Sequence, residues 1–157
     1  METALKNVYD SVIIRFSGEL WLKKHWTRKH YERRLVRNLK KTLKHYEVSY
    51  IQLVRRRGRF YLKTASAVEA AQILARVFGI SSVSPAMETS SKIDDLIDKS
   101  LFLAGIVLKE GDRFAVKCKR VGKQGYSSAD VRKLLGQRVL DEFGEKLGLS
   151  VDLGNPD

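Results

Sequence analysis

Val48-Ser49-Tyr50-Ile51-Gln52-Leu53-Val54-Arg55-Arg56-Arg57-Gly58-Arg59-Phe60-Tyr61-Leu62-Lys63 consists of two β-prone runs on either side of a basic, glycine-containing turn. The spacing predicts a β-hairpin with strands at 48–54 and 59–63 and its turn at 55–58. Helical periodicity flanks the hairpin on both sides. Upstream, Thr27 is placed to cap a helix reaching about Tyr46. At ~100° per residue, Tyr31, Leu35, Val36, Leu39, Leu43 and Tyr46 fall on one side of it, and Arg33, Arg34, Arg37, Lys40, Lys41 and Lys44 on the other. Downstream, Ser66 precedes a helix from about Ala67 to Phe78, with Val68, Ala71, Leu74, Ala75 and Phe78 at core spacing and Gly79 as its C-cap. Outermost are a short β run, Val12-Ile13-Ile14-Arg15-Phe16, ending at Ser17-Gly18-Glu19, and a strand from Ile80 to about Met87.

The resulting order, β-α-β-β-α-β, is the ferredoxin-like arrangement, in which both helices cover one face of an antiparallel sheet. The polar segment Glu88-Thr89-Ser90-Ser91-Lys92 is the best domain boundary, dividing the chain into 1–88 and 89–157. Beyond it, Ile93, Leu96, Ile97, Ser100, Leu101 and Ala104 mark a helix, residues 114–118 a strand, and Val131, Leu134, Leu135, Val139 and Phe143 a second helix from Ser128 to about Leu147. Val151 to Asp157 reads as a strand that begins and then turns. So little strand cannot close a sheet, so this second α/β unit is expected to be incomplete in the chain or to borrow strands from a partner. The fold class is α+β.

Charge is the second strong signal. The net charge of +12 is concentrated: Lys23 to Lys63 hold fifteen Lys and Arg against Glu32 and Glu47 alone, whereas the rest holds fifteen cations against sixteen acids. A cationic excess confined to one region implies a surface of single sign and a polyanionic partner, with nucleic acid first. Solvated helices normally interleave Glu with Lys, and Glu32 is the only acid between Thr27 and Tyr46. The six uncompensated cations repel one another at i,i+3 and i,i+4, which suits retention for a ligand.

A second candidate site is Lys117-Cys118-Lys119-Arg120-Val121-Gly122-Lys123-Gln124-Gly125-Tyr126-Ser127-Ser128. It ends a strand in cations, turns through two glycines and opens a helix with hydroxyls, where Ser127 and Asp130 fit an S-x-x-D start and Arg132 adds a cation one turn in. Unpaired N–H groups and the dipole at a helix N-terminus favour an anion. The alternative reading is an ordinary basic corner beside a capped helix. Tyr126, Trp21 and Trp26 lie near cations and could stack on unpaired bases; Tyr126, in the glycine-rich turn, ranks first.

Other residues support binding rather than chemistry. Cys118, the single cysteine, excludes an intramolecular disulfide and is expected to be a small buried strand residue. His25, His30 and His45 lack metal-ligand spacing, and Asp94, Asp95 and Asp98 suit a helix start rather than a catalytic pair. No catalytic residue and no metal site is assigned. No apolar run reaches the ~20 residues needed to span a bilayer, so no membrane partner is expected and the protein reads as cytoplasmic.

Arg15-Phe16-Ser17-Gly18-Glu19-Leu20, Leu22-Lys23, Arg28, Tyr31-Glu32, Leu35 and Asn38 together resemble the opening motif of the tRNA sulfurtransferases, which form 4-thiouridine. Val116 to Lys123, with Tyr126-Ser127-Ser128 and Val131, resembles the THUMP domain of that family. The resemblance spans nearly the whole chain, in the family's order. It implies a ferredoxin-like domain and a THUMP domain that jointly bind tRNA at its acceptor stem and 3′ end. A downstream PP-loop domain would use ATP to activate uridine, so no cofactor is expected in this chain. A sulfur carrier or cysteine desulfurase, acting through the full-length enzyme, and an association with thiamine biosynthesis are also implied. Two features depart from the family: no Ser-Gly-Gly-x-Asp-Ser loop is present, and Lys24-His25-Trp26 stands in a turn where small residues are usual. Family members would also continue past Asp157. The function expected is therefore the tRNA-binding portion of such an enzyme. The alternatives are a stand-alone THUMP-type adaptor that recruits a separate RNA-modifying enzyme and, from another class, a structural protein of anionic membranes or ribosomes.

Overall fold

The computed structural model describes residues 8–16, 25–56 and 58–157. The chain divides into two compact units, 1–88 and 89–157.

In the first unit the elements run β1 (Ser11–Phe16), α1 (His25–His45), β2 (Gln52–Arg56), β3 (Arg59–Lys63), α2 (Ala67–Leu74) and β4 (Ile80–Ala86). The strands form one antiparallel sheet in the order β2-β3-β1-β4, the ferredoxin-like topology. Alternation along β1 sends Val12, Ile14 and Phe16 into the core, and the register sets Val12 opposite Leu62 and Ile14 opposite Phe60. Leu35, Leu39 and Leu43 of α1 and Ala67, Ala70, Ala71 and Leu74 of α2 close over these side chains. The three alanines let α2 approach closely, and each fully buried leucine contributes about 1.5–3 kcal/mol.

Several expectations are corrected in this unit. The helix is already formed at His25, so Thr27 lies inside it and is not its cap, and Trp26 is helical rather than in a turn. Tyr31 and Tyr46 are exposed. The inward side of α1 carries Glu32 instead, buried because Arg55 Nη2 reaches its Oε1 at 2.7 Å. Arg55 and Arg56 pair with Phe60 and Arg59 in the ladder, so the hairpin turn is shorter than 55–58; Arg57 lies outside the described residues, as do Ser17, Gly18 and Glu19. Helix α2 ends at Leu74 rather than Phe78. Tight turns follow, with Arg76 N–H donating to Ile73 O and Val77 N–H to Leu74 O, and they rotate Ala75 and Phe78 off the core face. Gly79, at φ +91°, does not cap the helix; it reverses the chain into β4.

The second unit comprises α3 (Ile93–Val107), β5 (Arg113–Phe114), α4 (Ser128–Val139), a π-helical turn at Leu140–Gly144, a short α5 (Glu145–Leu147) and β6 (Ser150–Val151). Its core joins Ile97 and Leu101 to Phe114, Leu135, Val139 and Leu149. The strand expected over 114–118 is only two residues long. β6 pairs in parallel with β5 at Arg113 and Phe114 and then leaves, because Asp152 Oδ1 accepts the N–H groups of Gly154 and Asn155 and turns the chain back, where Asp157 N–H donates to Arg113 O. Residues 115–120 therefore have no ladder partner among the described residues. Cys118 is accordingly neither in a strand nor buried. Leu134 is exposed, and the helix expected to run from Ser128 to Leu147 is interrupted by the π turn. Gly148, at φ +61°, ends it, with Leu149 N–H donating to Gly144 O.

Candidate nucleic-acid interface

Two groups of sequence-assigned residues can be placed, one in each unit. On α1 the inward positions at 32, 35, 39 and 43 fix the rotation of the helix. Arg33, Arg34, Arg37, Lys40, Lys41 and Lys44 are all exposed. None of the six forms a salt bridge with a carboxylate among the described residues; the one acid on the helix, Glu32, is taken by Arg55 at 2.7 Å and Arg28 at 4.0 Å. The acid that could have neutralised this face points into the fold. Trp26 is exposed on the first turn of α1, its ring stacked near-parallel to His30 at a centroid distance of 6.1 Å. Trp21 lies outside the described residues.

The 117–128 segment is a folded turn. Lys117, Lys119, Arg120 and Lys123 are exposed. Arg120 Nη1 donates to Gln124 O at 3.3 Å and Gln124 Nε2 to Val121 O at 3.1 Å, around Gly122 at φ +99°. Gln124 Oε1 is buried without a hydrogen-bond partner among the described residues. Tyr126 is half-buried, its hydroxyl donating to Ser91 O at 2.7 Å, which fixes the ring.

The helix opening differs from its expected role. Ser127 and Asp130 form a complete capping box: Asp130 N–H donates to Ser127 Oγ at 3.1 Å, and Ser127 N–H donates to Asp130 Oδ2 at 2.7 Å. Those bonds, the backbone one first, hold the Asp130 carboxyl below its ordinary value. The α4 N-terminus thus already holds an anion of its own, and a second would meet a carboxylate. Attraction in this segment has to come from the side chains of Arg120, Lys123 and their neighbours. Lys117 and Arg132 line one cleft of about 530 Å³ with Lys133, a cation missed in the sequence reading although it adjoins Arg132. Lys119, Arg120, Lys123, Tyr126 and Ser127 are not among the residues lining it. Among the described residues no three His, Cys, Asp or Glu side chains cluster to hold a metal ion, and no helix is long and apolar enough to cross a membrane.

The ThiI ferredoxin-like domain model matches residues 11–84 and the THUMP domain model residues 90–157. The chain thus carries a ThiI ferredoxin-like domain followed by a THUMP domain. It is homologous to the N-terminal, THUMP-containing part of tRNA sulfurtransferases. The probable tRNA sulfurtransferase of Aeropyrum pernix is 37% identical over 153 residues, covering 95% of this chain and 37% of that protein. That of Methanosarcina acetivorans is 36% identical over 148 residues, covering 93% and 35%. The chain thus spans little more than a third of the length of such curated relatives. Among solved structures, PH1313 from Pyrococcus horikoshii superposes with a TM-score of 0.80 at 34% identity, over 94% of this chain and 48% of that one. A 4-thiouridine synthetase in complex with RNA and bound ATP superposes with a TM-score of 0.75 at 26% identity, over 95% and 36%. The cationic helix therefore belongs to the ThiI ferredoxin-like domain, and the glycine-rich turn to the THUMP domain.

Proposed function

We propose that this chain binds tRNA as the positioning portion of a 4-thiouridine-forming sulfurtransferase. The observation that carries the reading is the outward face of α1, six exposed cations without a carboxylate partner among the described residues. Homology to the sulfurtransferases and likeness to a 4-thiouridine synthetase crystallised with RNA support the same ligand. An A-form duplex hides its bases in a deep, narrow groove, so Arg33, Arg34, Arg37, Lys40, Lys41 and Lys44 would hold the acceptor stem by shape and phosphates. Lys117, Lys119, Arg120, Lys123 and Arg132, with the ring of Tyr126, would receive the unpaired 3′ end. In this reading ATP, uridine activation and any sulfur carrier or cysteine desulfurase belong to a PP-loop portion of the enzyme, and the work takes place in the cytoplasm.

The test compares intact tRNA with tRNA trimmed of its unpaired 3′ nucleotides by fluorescence titration. Trimming should weaken binding to the wild-type chain. Arg120→Ala with Lys123→Ala should weaken binding of intact tRNA and largely remove the difference. Changing Arg33, Arg37, Lys40 and Lys44 to Glu should weaken both forms and preserve it, because phosphate contacts along a duplex do not sense missing unpaired nucleotides. Equal wild-type binding of the two forms would return 117–128 to a basic turn. Unchanged affinity after the α1 reversals would remove the duplex interface.

A further inference from the structure

The early end of α2, at Leu74, leaves a cleft between the turn that follows it and α1. It has a volume of about 390 Å³, at the small end of the range for ligand sites. One wall is the C-terminal half of α1 with Asn38 and Lys41, continued by Tyr46 in the turn just after it; the other is the turn from α2 to β4, with Arg76 and Phe78. Ile73 and Val77, packed against the core, form apolar lining. Phe78 is 96% exposed and Tyr46 is 51% exposed. A phenylalanine left almost wholly in water at the rim of a cleft, with a second aromatic lining the same cleft, offers flat apolar faces. Lys41 and Arg76 bring two positive charges, and no carboxylate of the described residues lines the cleft.

Flat apolar faces, cations, and the exposed Asn38 amide able to donate and accept hydrogen bonds make a set complementary to one class of ligand, a nucleobase carrying a phosphate. An apolar peptide would leave both cations unused, and a fully paired duplex would present no free base face. Lys41 is also one of the six cations of the α1 face, so the cleft is continuous with the surface proposed to hold the duplex. We infer that the cleft between α1 and the α2–β4 turn is a subsite for an unpaired nucleotide of the bound RNA, its base stacked on Phe78 and its phosphate held by Lys41 and Arg76. The inference rests on the RNA-binding reading and is separate from the 3′-end assignment, because the cleft lies wholly within the first unit.

The test uses the full chain and two blunt-ended RNA duplexes of identical sequence, one continuous and one carrying a two-adenosine bulge with 2-aminopurine at one bulged position. The wild-type chain should bind the bulged duplex about ten-fold more tightly, with quenching of the 2-aminopurine signal as it stacks. Phe78→Ala should erase both the gain and the quenching while leaving affinity for the continuous duplex unchanged; Phe78→Tyr should keep both. Arg120→Ala with Lys123→Ala should also keep the gain, which separates this subsite from the 117–128 segment. Equal wild-type binding of the two duplexes overturns the subsite alone. So does a gain that survives Phe78→Ala, or a Phe78→Ala loss shared equally by both duplexes. Binding of neither duplex by the wild-type chain would sink the RNA-binding reading and this subsite with it.

Discussion

Glu47 is the one described non-glycine residue held at positive φ, +56°, and it sits where α1 stops. Val48 N–H donates to Leu43 O at 2.9 Å across it, a helix-ending motif whose left-handed position is normally glycine, and Val48 and Leu43 both enter the core. Glu47→Gly should therefore raise stability by about 0.5–1 kcal/mol, the left-handed penalty less glycine's greater loss of freedom, as read from urea denaturation. Lys63 makes a second local test. Its Nζ lies 3.0 Å from Asp10 and 2.7 Å from Glu88, joining the end of β3 to the segments flanking β1 and β4. Burial alone would raise the Asp10 carboxyl, but the N–H of Glu88, the ammonium of Lys63 and Ser11 outweigh it, and the group is held below its ordinary 3.8. The depressed folded value means stability that is present above the unfolded pKa and lost as pH falls through the folded one. The bond to Glu88, against a smaller burial penalty and with Asp10 adding, raises Lys63 above its ordinary 10.5, so its share is present below that value and lost as pH rises through the folded one. Asp10→Asn should flatten the acid limb of a stability profile below about pH 4, by no more than about 1 kcal/mol because the pair is half exposed.

At the scale of elements, helices in the second unit carry two glycines with opposite expectations. A Cβ at Gly105 of α3 would stand 3.0 Å from Phe143 Cζ, on the π-helical turn. A Cβ at Gly136 of α4 would meet nothing within 4 Å. Gly136→Ala should stabilise by about 0.5–1 kcal/mol through helix propensity, whereas Gly105→Ala should lose that gain to the ring and come out neutral or destabilised, both by thermal melts. The helix from Ser128 was legible at its start because the capping box is a local code of two side chains. Its interruption was not, since the π turn places Phe143 against α3 and answers to a neighbour far away in sequence. Strand length failed for a similar reason: 115–118 has a strand's composition, but a ladder needs a partner, and the turn at Asp152 takes that partner away.

For the whole molecule, the contrast between a region of net +13 and a near-neutral remainder sets the expected binding behaviour. If about 4 to 6 phosphates are neutralised, tRNA affinity should fall by orders of magnitude between low and moderately high salt. Lys40→Ala should weaken binding to all tRNAs alike and lower the salt slope by about 1. A titration with little salt response would contradict a phosphate-dominated interface.

The order of elements in the first unit, the cationic face of α1 and the capped start of α4 were set by the sequence itself. Each depends on spacing within one element or on the order of neighbouring ones, and chain geometry alone converts that into structure. Tertiary structure decided which side of each pattern met the core. Periodicity placed Tyr31, Tyr46 and Phe78 on apolar faces, but Arg55 drew Glu32 inward and tight turns after Leu74 rotated Phe78 outward. Hydrophobicity gives a residue a preference for burial, and only the packing of partners distant in the chain determines whether a place in the core exists for it.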